Sequence, residues 1–203
     1  GVVLIVAVYV LLTAAQMSRS AETPAQTGLD DTSAWMARTI GAEPQSATIT
    51  PVDPGSLIFA RGAQMTCDGT RSIAINPSSY AAWSSMFDGS GGFDQQAATI
   101  VLHELAHGLS PVSCSPNADH DQDEGIVQAA ALSLLAPWTA HVSQGKTVIT
   151  TPCGFYDRST RLIRRQAVSI TGVRNPSRPA AKRFIWRLLL ADQAGREAML
   201  AGR

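Results

Sequence analysis

Residues 99–109, TIVLHELAHGL, set two histidines and a glutamate inside an otherwise apolar run. Few folds accept such a segment. Its leucine, isoleucine, valine and alanine mark a core helix, and burying ionisable groups among them is costly unless something compensates their charge and lone pairs. Four residues advance an α-helix by about 6 Å and roughly 400°, so His103 and His107 project from one face a turn apart. Two imidazole nitrogens so placed can hold one Zn²⁺ at about 2.0–2.1 Å. Glu104, about 100° further round, reaches a water beside the ion rather than the ion itself. It can take that water's proton while the metal polarises a carbonyl. The H-E-x-x-H spacing therefore predicts a catalytic zinc centre, with His103 and His107 as ligands and Glu104 as general base.

A catalytic zinc site takes three protein ligands and leaves one position for water. The acidic cluster ADHDQDEG, residues 118–125, offers the third. Glu124 is the expected ligand, because it opens a second apolar helix, EGIVQAAALSLLAPW, that meets Pro137. Packed antiparallel to the histidine helix, it aims a first-turn carboxylate at the ion, with Gly125 permitting close approach. Asp123, His120, Asp119 and Asp121 compete for the role. The Asp119, Asp121, Asp123 series is not a calcium-binding helix–loop–helix, since Glu124 and Ala130 stand where that loop needs Gly and Glu. Gln128, one turn beyond Glu124, is either an outer partner of a ligand histidine or an ordinary exposed helix residue.

HELAH and DEGIVQ together resemble the gluzincin branch of the zincin metallopeptidases. The metzincin pattern is excluded, because Ser110 and Ser113 stand where it requires Gly and His. The gluzincin resemblance implies a site of two histidines and one glutamate, with Glu124 completing it. It also implies that RSIAIN, residues 71–76, is an edge strand that holds an extended peptide by strand addition. A tyrosine or histidine stabilising the oxyanion is implied too, for which Tyr156 and His141 are the candidates beside their structural readings.

The N-terminus is apolar up to Arg19. It is shorter than the ~20 residues a spanning helix needs, and reads as a signal peptide or membrane anchor over residues 1–19. Residues 20–28, SAETPAQTG, read as a linker, and LDDTSAWMARTIG as a short helix capped by Asp30 or Asp31 and stopped by Gly41. ATIT and SLIFA are short strands, and AQMTCDGTRSIAINP is a hairpin turning at Asp68-Gly69. SSYAAWSSMF forms a helical turn or short helix. Helices follow within 156–170 and 178–200.

Cys67, Cys114 and Cys153 leave open a Cys67–Cys114 bridge, a Cys114–Cys153 bridge or three thiols. From Phe155 onward there are 11 Lys/Arg against 3 Asp/Glu, yet the chain as a whole is neutral. With no nucleic-acid motif beside it, this basic quarter reads as solvated helix faces.

Strands first and helices later predict an α+β class. The expected domain, residues 46–203 behind a linker and short helix at 20–45, is a minimal zincin-like one: a small antiparallel sheet, the active-site helix and the following ligand helix. The expected function is an extracytoplasmic, secreted or membrane-anchored zinc metallopeptidase acting on a peptide or protein substrate. The alternative is an inactive zincin-like binding module of the cell envelope.

Overall fold

The computed structural model describes residues 23–53, 55, 63–66, 71–116, 119–143, 148–149, 157–175 and 177–202. Among these the order is α1 (Pro24–Ile40), β1 (Thr48–Pro51), β2 (Ala63–Met65), β3 (Ser72–Ile75), α2 (Pro77–Asp88), β4 (Phe93–Asp94), α3 (Gln95–Leu109), α4 (His120–Ser143), β5 (Val148–Ile149), α5 (Asp157–Thr171), α6 (Pro179–Leu190) and α7 (Gln193–Leu200). The class is α+β, as expected. The N-terminal apolar segment, SLIFA, the turn at Asp68-Gly69 and Tyr156 lie outside the described residues.

Local chemistry explains most helix ends. Thr23 caps α1 by accepting from Gln26 N at 3.2 Å, Pro24 takes the first helical position, and Gly41 closes the helix at φ 79°. The helix thus starts six residues before Asp30, and half of the expected linker is helical. Gly28, which read as a loop signal, is covered by the Phe87 ring: a Cβ there would lie 2.3 Å from two ring carbons. Asn76 and Pro77 start α2 in the same manner, and Asp94 caps α3 by accepting from Gln96 N and Ala97 N.

The sheet order is β1-β3-β2, with β1 parallel and β2 antiparallel to β3. The sheet is therefore mixed rather than antiparallel. β1 follows α1 closely in sequence but pairs with β3 past the intervening β2, whereas β2 and β3 are adjacent in sequence and pair Ala63 with Ile75 and Met65 with Ile73. This pairing also corrects the edge-strand expectation: among the described residues Ser72–Ile75 is central, and β1 and β2 are the two edges.

α3 and α4 pack against each other in the core. α4 alone among the described helices is long and apolar enough to cross a membrane, but over half of its most apolar window is buried inside the protein. It begins four residues before Glu124 and continues through Pro137 to Ser143. Although a proline removes one helical hydrogen bond, the next residue, Trp138, is fully buried, stacks on Trp83 at 5.6 Å and donates to Thr32 Oγ1 at 3.1 Å. That packing holds the helix together across the proline. The segment expected as one helix from 178 is two. Asp192 starts a new helix by accepting from Gly195 N at 2.8 Å, and the corner turns α7 back toward α4.

Candidate metal centre

His103, Glu104 and Glu124 are 6–7% exposed, and the His107 side chain is 14% exposed. One ligand atom from each of His103, His107 and Glu124 lies within 4.8 Å of the others. The two Nε2 atoms are 3.1 Å apart. Glu124 Oε2 is 3.1 Å from His103 Nε2 and Oε1 is 3.4 Å from His107 Nε2. A buried group of two imidazoles and a carboxylate at this separation could bind a metal.

The partners of the outer ring nitrogens set the tautomers. His103 Nδ1 donates to Gln128 Oε1 at 2.8 Å. Ser113 Oγ donates to Asp123 Oδ2 at 2.6 Å, so at 2.9 Å it accepts from His107 Nδ1. With Nδ1 of each ring committed to an outer acceptor, the neutral form of either ring carries its lone pair on Nε2, directed inward toward the other ring and Glu124. Glu124 Oε2 is buried and, despite its nearness to His103, makes no hydrogen bond. Acceptors that converge in this way suit a cation.

Titration reflects the same crowding. Burial opposes a charge on His107, but Asp123, Glu124 and Glu104 overcome it and raise its pKa to about 10. Burial likewise opposes ionisation of the carboxylates. The Glu124 pKa is nevertheless lowered by the two histidines, and that of Asp123 by His107, Ser113 and Arg196.

Asp123 is thus behind the ring of His107 and not within the triad. His120 is 62% exposed and 3.8 Å from Glu124 Oε1, while Asp119 caps the helix through Gln122 N at 3.1 Å and Asp121 is exposed. Glu124 sits in the second turn of α4 rather than the first. Gly125 does permit a close approach, but of α5: a Cβ would meet Ser159 Cβ at 2.9 Å. Glu104 Oε2 accepts from Met65 N of the edge strand at 2.7 Å.

His141 is excluded from the site. It lies 17 residues beyond Glu124 on the same helix, about 25 Å away, and faces Asp31 at 3.3 Å while stacking on Trp35. Cys114 is disulfide-bonded; Cys67 and Cys153 both lie outside the described residues.

Sequence reasoning missed Arg196, which is fully buried. Its Nη1 donates to Asp123 Oδ1 at 2.7 Å and its Nη2 to Ser110 Oγ at 2.8 Å. No local motif marks it. Ser110 and Ser113, read only as departures from the metzincin pattern, both belong to this network. No family model matches the chain, and no curated protein or solved structure does either.

Proposed function

We propose that this protein is a zinc metallopeptidase of minimal gluzincin type, with His103, His107 and Glu124 as metal ligands and Glu104 as general base. The observation that supports it most is the inward convergence of acceptor atoms from three side chains. Charge points the same way. Glu104, Asp123 and Glu124 against Arg196 leave the buried cluster two negative charges in excess when both rings are neutral, which a divalent cation balances. The nitrogen, nitrogen and carboxylate donor set fits zinc.

Zinc bound there would supply Lewis acidity and an acidified water. Glu104 has one oxygen tethered to the Met65 amide, leaving the other to accept a proton from water and pass it to the leaving amine. Along β2, outward amides alternate. That of Met65 is taken by Glu104, and that of Ala63 remains on the edge for an extended peptide. An exported or membrane-tethered location is supported by the apolar N-terminal run and by the disulfide at Cys114.

The burial of the three donors favours a second reading, an envelope-facing binding module in which the metal is structural. Elemental mass spectrometry on the purified full chain, followed by a peptide-library assay, separates them. About one zinc per chain, lost in Glu124→Ala, with hydrolysis abolished in zinc-retaining Glu104→Gln, supports the peptidase. Zinc without hydrolysis in either form supports the module, and a wild type that takes up no zinc overturns both.

A further inference from the structure

Arg196 reaches the centre from the last helix, 73 residues from Asp123 in sequence. It engages four of its five N–H groups: Nε donates to Leu188 O at 2.9 Å, and Nη2 to Leu189 O at 3.4 Å as well as to Ser110 Oγ. The two carbonyls belong to the final turn of α6, where intrahelical donors run out. The guanidinium is therefore clamped by α6 on one side and by the end of α3 on the other. Its remaining contact, to Asp123 Oδ1, leaves Oδ2 turned toward Ser113 and His107.

The chain from Arg196 through Asp123 and Ser113 ends on His107 Nδ1, the nitrogen opposite the inward-facing Nε2. Ser110 braces it twice, capping α3 through its own backbone N–H and accepting from Ser113 N at 3.1 Å. We propose that Arg196 is a positioning residue of the metal centre: by holding Asp123 it fixes, through Ser113, the tautomer and ring orientation of His107. This rests on the metal-centre reading above. Outer contacts of this kind are worth roughly 10- to 100-fold in metal affinity.

A merely structural ion pair would behave differently when both charges are removed together. The double variant Asp123→Asn/Arg196→Met removes one buried charge of each sign, so neither member of the pair is left alone and the cluster's net charge is unchanged. It is compared with the full-length wild type by Co²⁺ titration, following the ligand-field absorption bands, and by metal-free thermal unfolding. The expected result is a metal-free midpoint close to wild type, with Co²⁺ bound roughly 10- to 100-fold more weakly and altered band positions. Affinity within twofold of wild type and unchanged bands would overturn the proposal. Should the pair not fold, Arg196→Lys keeps the charge and loses the fork. A loss of about fivefold or more in Co²⁺ affinity there supports positioning, and unchanged affinity overturns it. Failure of the wild type to bind Co²⁺ defeats the metal-centre reading itself, and is recognised before any variant is compared.

Discussion

His103 and His107 face one point because each ring has an acceptor on its outer nitrogen. In the metal centre proposed above, the Gln128 amide is thus as much a part of the site as the ligands. Replacing it with leucine preserves volume and removes the acceptor, so metal affinity is expected to fall roughly 10- to 100-fold with the fold retained. Competition with a chromogenic chelator reads that loss. His120 gives the contrast. Exposed at the rim and 3.8 Å from Glu124, it is expected to leave metal stoichiometry unchanged when replaced by alanine. A stoichiometric loss in His120→Ala would enlarge the ligand set. The two histidines and Glu104 were legible in sequence because helical periodicity is local. The choice among Asp119, Asp121, Asp123 and Glu124 was not, since the true start of α4 at His120 decides which carboxylates face inward.

At Gly125, α4 approaches the backbone of α5. A Cβ on Gly125 would lie 3.0 and 3.1 Å from the Ser159 backbone in addition to its side-chain contact, and backbone cannot rotate away. Gly125→Ala is therefore expected to destabilise by about 1–3 kcal/mol, read as a lower urea midpoint. Gly108→Ala is expected to be milder, because its added Cβ would meet only the flexible Met65 Cε at 3.2 Å. The C-terminus of α1 at Gly41 was readable from its capping residue. The helix start at Thr23-Pro24 carries the same type of signal, but Gly28 obscured it by imitating a loop. Mid-helix glycine costs about 1 kcal/mol against alanine, and here it makes room for Phe87. The basic helices also sort by element: on α6 Phe184, Ile185, Leu188 and Leu189 are buried while Arg183 and Arg187 remain in solvent.

Over the whole molecule, the charged cluster makes stability depend on pH. In the metal-free protein His107 is raised to about 10, so its contribution is complete below its unfolded value near 6.5 and fades as pH rises toward 10. Asp123 and Glu124 are lowered; their contribution is complete above the ordinary carboxylate range near 4 and is lost as pH falls below it. Metal-free stability is thus expected to peak at roughly pH 5–6.5, which urea unfolding across pH would show. Metal must displace the His107 proton, so binding is expected to release about one proton at pH 7 and to tighten with rising pH. Calorimetry in buffers of different ionisation enthalpy measures that release. Metal present at about 100 times its Kd should add about 2.7 kcal/mol to stability, and a chelator should remove it.

The amino-acid order by itself determined the two histidines and Glu104 with their spacing, the caps that start and stop most helices, and the α+β class, because each depends on neighbours within a few residues. Tertiary structure alone decided that Asp123 stands behind His107 rather than in the triad, that β3 is the central strand of the sheet and not an edge, and that an arginine of the last helix is buried against Asp123 and Ser110. Those are contacts between distant segments. Their geometry follows from how α3, α4 and α7 pack, and helical periodicity carries no information about a partner 73 residues away.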